Sequence, residues 1–126
     1  MKASIPIAIF LILVLVFLNQ CSGEEKQMIM TQKVYTGTMN GKHPFEMSIH
    51  REGDKLSGFV LNTYKQKAEI KGKVDGDDVF IINEFNGDQK TGIFSGRFIP
   101  GGEIKGTWST PDGKKWNLFY LLENTK

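Results

Sequence analysis

The sequence predicts an all-β domain: an antiparallel up-and-down barrel of about eight strands, soluble, following an N-terminal leader. Three observations predict it. A five-residue phrase, apolar-polar-Gly-polar-apolar, recurs as Ile70-Lys71-Gly72-Lys73-Val74, Phe94-Ser95-Gly96-Arg97-Phe98 and Ile104-Lys105-Gly106-Thr107-Trp108, with looser copies at Leu56 to Val60 and Tyr35 to Met39. Side chains alternate across a strand, so each copy puts its two large apolar groups and its glycine on one face, whereas a helix would scatter them. Turn signals recur at short, even spacing, and no connection is long enough for a crossover helix.

Lys2 followed by the apolar run Ile5 to Leu18 has the layout of a secretory signal, a basic start and then a hydrophobic stretch. The run is shorter than the roughly 20 residues a membrane-spanning helix needs. Two processing routes follow from the next residues. Ordinary cleavage after Gly23 would use Cys21 and Gly23 as the small pair. The alternative is acylation of Cys21, the one cysteine of the 126 residues, which gives a lone cysteine just past an apolar run a purpose in an oxidising compartment. The stretch Leu18-Asn19-Gln20-Cys21 resembles the lipobox of a bacterial lipoprotein precursor, with Asn19 and Gln20 where that family has small residues. The resemblance implies a lipid on Cys21, membrane attachment through it, and, with Ser22 following, forwarding to the outer membrane; secretion is the alternative. The expected division is a signal peptide over 1–20, an acylated terminus and polar tether over 21–33, and a barrel over 34–126.

Strands are expected at 33–39, 44–51, 55–62, 67–74, 78–85, 90–98, 103–109 and 115–122. Asn40-Gly41, Glu52-Gly53-Asp54, Asp75-Gly76-Asp77, Asn86-Gly87-Asp88, Pro100-Gly101-Gly102 and Pro111-Asp112-Gly113 separate them with residues that tolerate positive φ. The turn near Thr63 to Gln66 lacks that chemistry. An open meander would expose two edges and a bare apolar face, and closure removes both. With the apolar positions inside, Lys71, Lys73, Ser95, Arg97, Lys105 and Thr107 face out, the reverse of a membrane barrel.

The inward glycines have two readings, strong coiling of the strands or space vacated for a ligand. An eight-stranded barrel is just wide enough to be filled by side chains or to hold one small molecule. Met39, Phe45, Met47, Ile49, Phe94, Phe98 and Trp108 all fall on the inner face and predict filling. Val79 to Ile82, which includes Phe80, and Trp116 to Leu122 are apolar on both faces. With Phe59 and Ile93 they predict an outer apolar patch, to be covered by a partner or by Met28, Ile29 and Met30 of the tether.

The sequence proposes little chemistry. After removal of Lys2 with the leader, 15 basic residues face 14 acidic ones, no footprint for nucleic acid. His43 and His50 lie in or beside one strand with no nucleophile or third group to complete a triad. Asp75, Asp77 and Asp78 lack the ligand spacing of a calcium loop and mark a hairpin tip. Glu84 is a lone rim carboxylate. No cofactor motif and no enzyme are expected.

Tyr35 to Lys42, Leu56-Ser57-Gly58, Ile70-Lys71-Gly72, Asn83-Glu84-Phe85, Gly92 to Gly96 and Gly106-Thr107-Trp108 together resemble a recurrent group of uncharacterised bacterial secreted and lipoprotein domains. The fold this implies is similar to the avidin and lipocalin type of meander barrel, though the Gly-x-Trp of lipocalins belongs to the first strand and Gly106-Thr107-Trp108 to the seventh. The expected role is a cell-envelope module that binds a small apolar ligand or a protein partner without catalysis. Large amphipathic or apolar side chains are the candidates for contact, namely Trp108, Trp116, Tyr64, Tyr120, Phe59 and Phe80. Two alternatives remain. One is a lysozyme-inhibitor-like envelope lipoprotein, although Ser57-Gly58-Phe59-Val60-Leu61 lacks the tyrosine of the inhibitor loop. The other is a structural envelope component without a small ligand.

Overall fold

Antiparallel neighbours joined by short turns leave an eighth strand beside the first, and the two pair. A computed structural model describes residues 30–125; the leader, Cys21 and most of the tether lie outside the described residues. The strands are β1 (Met30–Met39), β2 (His43–Glu52), β3 (Lys55–Leu61), β4 (Lys67–Val74), β5 (Val79–Asn86), β6 (Gln89–Ile99), β7 (Glu103–Ser109) and β8 (Trp116–Glu123). They form a closed barrel in chain order, every pair antiparallel, sealed by the β1–β8 ladder from Tyr35↔Glu123 to Met39↔Phe119. The meander barrel predicted by the alternation is therefore the fold.

Two boundaries differ from expectation. β1 begins at Met30, because β2 runs on to Glu52 and pairs with it back to Met30↔Glu52, so residues 30–33 are strand rather than tether. The turn at Thr63 to Gln66 does carry turn chemistry, one residue upstream, at Asn62. β3 ends at Leu61, and the Asn62 Oδ1 accepts from the backbone N–H groups of Tyr64 and Gln66, both at 2.9 Å. This side-chain mimic of a turn carbonyl is a property of Asn and Asp. Lys65 takes φ +63° to close it. At the β4–β5 tip, Asp75 Oδ1 accepts from Asp77 N–H at 2.9 Å, the same device.

The barrel is filled. Met47, Ile70, Ile82, Ile104 and Leu121 are fully buried at its waist. Above them Phe94 meets Phe119 edge-on at 5.4 Å between ring centroids and stacks on Phe45 at 6.2 Å, and below them Phe80 packs on Phe98 at 5.0 Å. Full burial of each such side chain is worth about 1.5–3 kcal/mol, which is why a core without a disulfide holds. Of the expected inner residues, Phe45, Met47, Ile49 and Phe94 are buried, while Met39, Phe98 and Trp108 are half-buried against the core near the ends.

The glycines are explained by strand approach. A Cβ on Gly72 would lie 2.7 Å from Ile82 Cα and closer still to the Ile81 carbonyl oxygen. One on Gly106 would meet the Ser95 carbonyl and stand 2.7 Å from Gly96 Cα. These positions are occupied by neighbouring backbone, so coiling and not a ligand cavity accounts for them.

Alternation also gives the barrel two unlike poles. The β1–β2, β3–β4, β5–β6 and β7–β8 turns form one, called here the mouth. The other three turns gather at the opposite pole with both ends of the described chain.

Candidate functional site

Three strands carry inner-face apolar residues along most of their length and then a polar residue at the same parity where they reach the mouth. Glu84 follows Phe80 and Ile82 on β5, Asn117 precedes Phe119 and Leu121 on β8, and His43 precedes Phe45 and Met47 on β2. The pleat aims all three toward the barrel axis. They surround a cavity of about 280 Å³ floored by Phe45, Phe94 and Val60 and walled by Met39, Asn62 and Trp108. It is at the lower edge of small-molecule sites, apolar below and polar at the rim, the usual division of labour in such sites.

Trp108 is set by one glycine. Gly92 is buried and faces inward, and a Cβ there would strike Trp108 Nε1, lie 2.7 Å from Cε2 and stand 2.9 Å from Glu84 Oε1. Unlike Gly72 and Gly106, Gly92 makes room for a side chain, and the indole lies over it beside the carboxylate. Glu84 Oε1 accepts the Thr91 hydroxyl at 2.9 Å, and Oε2 has no hydrogen-bond partner among the described residues. Asn117 Oδ1 accepts from Asn40 Nδ2 at 2.7 Å, which leaves its own amide N–H groups to give. Asn62 is consumed by its turn. The mouth thus combines an indole N–H, a carboxylate oxygen, an imidazole and an amide around aromatic rings.

The residues expected to make contacts are dispersed by the structure. Only Trp108 is at the mouth cavity. Tyr64 is 82 % exposed on the adjacent β3–β4 turn. Trp116, 62 % exposed, and Tyr120 lie on the outer face of β8. The Tyr120 hydroxyl donates to Glu103 Oε1 at 3.0 Å, and this bond holds its proton above the usual tyrosine range. Phe59 is half-buried on the outside of β3 beneath the Lys67 ammonium, 4.1 Å from its ring centroid. Phe80 is 1 % exposed in the core and presents no surface.

The outer apolar residues do not form one patch with Phe59. Ile81 and Ile93 lie on β5 and β6, Trp116 and Leu118 on β8, and the registers place Ser95, Thr107 and Ser109 between them. Among the described residues no group of three or more His, Cys, Asp and Glu side chains could hold a metal.

The sequence reading does not group the rim residues Glu84, Asn117 and His43. The signal was present: a polar residue breaks the inward apolar parity at the same end of three strands, and adjacent turns bring those ends together.

Comparison with family models, with curated proteins and with solved structures found no match to this chain.

Proposed function

We propose that this protein is a non-catalytic binding module of the bacterial cell envelope, tethered through an acylated Cys21, that takes a small ligand in the mouth of its barrel. One observation carries the reading: the interior is packed, yet at one end Gly92 is kept bare so that the Trp108 indole lies beside Glu84 over an aromatic floor. Such a site offers stacking from the indole and hydrogen bonds in both senses, which suits a molecule with a flat or apolar body and polar substituents.

The topology agrees with anchoring. With an even number of alternating strands, the chain enters at the pole opposite the mouth. Cys21 to Met30 spans at most about 30 Å of extended chain. A lipid on Cys21 would hold that pole near the membrane and turn the mouth away from it. A second reading, a protein partner, is favoured by Trp116 and Leu118, each about 60 % exposed on neighbouring outer positions of β8.

The test is native mass spectrometry of the full chain purified from its host in mild detergent, alongside the denatured protein and a Gly92→Val variant. The expected result is an added small-molecule mass that disappears on denaturation and from the variant, whose side chain displaces the indole. A bare wild-type mass together with co-purified protein would move the function to the β8 face. An adduct retained undiminished by a folded Gly92→Val would refute the mouth as its site.

A further inference from the structure

The opposite pole carries a second departure from apolar parity. On β1 the inner positions run Thr31, Lys33, Tyr35, and on β2 they run Phe45, Met47, Ile49, Arg51, so both strands turn polar as they leave the barrel. Here the wall is incomplete. β1 pairs with β2 along its whole length, but with β8 only from Tyr35 to Met39, and the Asn124 N–H bond to the Val34 carbonyl at 2.7 Å is the last rung. Among the described residues, 30–33 therefore have no strand beside them on the β8 side. A notch of about 290 Å³ opens between this extension and the β6–β7 turn, with the half-buried Phe98 and Ile99 as its apolar surface and the buried Ile49 and Tyr35 also lining it.

Its charges are unequally engaged. Lys33 Nζ pairs with Glu123 Oε1 at 3.2 Å, and each offsets the other. Glu103 lines the notch, but its Oε1 accepts the Tyr120 hydroxyl on the outer face. Arg51 is half-buried; its Nε donates to the Gly53 carbonyl at 2.9 Å, and no carboxylate of the described residues lies within ion-pair distance. That bond uses one N–H of five and leaves the terminal fork of the guanidinium, the part matched to a carboxylate. Tyr35 is a donor here: burial, and then the charge of Glu123, hold its proton above the usual tyrosine range, only partly opposed by Arg51.

We infer that this notch is a binding site for a small monocarboxylate, its head taken by the Arg51 fork and the Tyr35 hydroxyl and its flat or short apolar body laid on Phe98 and Ile99. Lys33 and Arg51 are matched in number by Glu123 and Glu103, so the unpaired Arg51 fork and not net charge selects a carboxylate, and the two acids disfavour a ligand of higher negative charge. The site is separate from the mouth and independent of any ligand there.

Benzoate is the probe, with benzamide as its uncharged counterpart, titrated calorimetrically into the full chain in non-ionic detergent. Benzoate should bind and benzamide should not. Arg51→Gln should weaken benzoate roughly ten- to hundredfold, the worth of charge-assisted hydrogen bonds. Arg51→Lys should retain part of the affinity, Tyr35→Phe should lose several-fold, and Lys114→Ala, which removes an exposed positive charge from the β7–β8 turn at the far pole, should change nothing. Thermal melts separate lost binding from lost folding, since Arg51 also serves its own turn. The inference is overturned if benzoate gives no binding, if benzamide binds equally, or if a folded Arg51→Gln keeps wild-type affinity.

Discussion

Replacing Gly72 by alanine tests whether the inward glycines exist for strand approach. The new Cβ would lie 2.7 Å from Ile82 Cα and 2.9 Å from Ile82 Cγ1, and would press on the Ile81 carbonyl. The Ile82 side chain could turn aside, but the β5 backbone cannot. It is bonded to β4 on one side and to β6 on the other, so relief requires opening a ladder. Overpacking costs about 1–3 kcal/mol and each lost backbone hydrogen bond about 1 kcal/mol. Against this, alanine restricts the unfolded chain and returns about 0.4–1 kcal/mol. The net is a loss of about 1–3 kcal/mol from a stability typically of about 5–15 kcal/mol. For a domain of this size the melting temperature falls by about 4–8 °C per kcal/mol.

Gly76 is the control, four residues on in the β4–β5 turn, where a Cβ would meet no heavy atom within 4 Å. Gly76→Ala should leave stability unchanged or raise it slightly. Urea and thermal unfolding followed by far-ultraviolet circular dichroism compare the two. Equal midpoints, or a Gly72→Ala protein as stable as wild type, would refute the packing argument and restore the reading that the glycine faces open space.

Two further outcomes are expected. Asn40→Ala should cost about 2–3 kcal/mol in urea unfolding, because it puts alanine at φ +54° and removes both the bond to Asn117 and the Leu118 N–H bond to Asn40 Oδ1 at 3.1 Å; Asn40→Gly should recover only the backbone share. Tyr35 has a pKa raised on folding, so its contribution is fully present below the ordinary value of 10.0 and is lost as pH rises through the folded value. Stability should therefore fall in alkaline solution, and Tyr35→Phe should flatten that fall in denaturation curves taken across the range, leaving the share of Tyr120.

The strands were legible because the barrel is a period-two object with one apolar side, and Phe94-Ser95-Gly96-Arg97-Phe98 states that period without ambiguity. What the pattern could not give depends on neighbours distant in sequence. Met30 to Gln32 became strand because Glu52 to His50 were there to pair with them, and the alternation within β1 says nothing of β2's length. Asn62 resolved the β3–β4 turn through a side-chain bond that a search for glycine does not find. Gly92 looked like the other glycines, and only the register that brings Trp108 over it distinguishes them. Size and aromaticity single out Phe80, which is in the core, and Phe59, which lies beneath Lys67, but not Glu84 or Asn117. Polarity at the inward parity marks the candidate site better than size does.

The same physics explains why both proposed sites lie at the poles. The ring stack of Phe45, Phe94 and Phe119 occludes the barrel immediately below the mouth, and Tyr35, Phe80 and Phe98 fill it toward the other end, so a ligand reaching the axis would have to displace rings worth several kcal/mol of burial. At each pole the strands run past the last apolar layer, and the inner positions there are no longer enclosed by eight neighbours. A polar side chain at such a position keeps access to water and escapes the penalty of burial, yet remains aimed at the axis by the pleat. Glu84 and Asn117 at one end and Arg51 and Lys33 at the other are therefore inexpensive to fold and already converge. A filled eight-stranded barrel thus turns two rings of strand ends into pre-arranged polar rims, and the apolar floor of each is the end of the core itself.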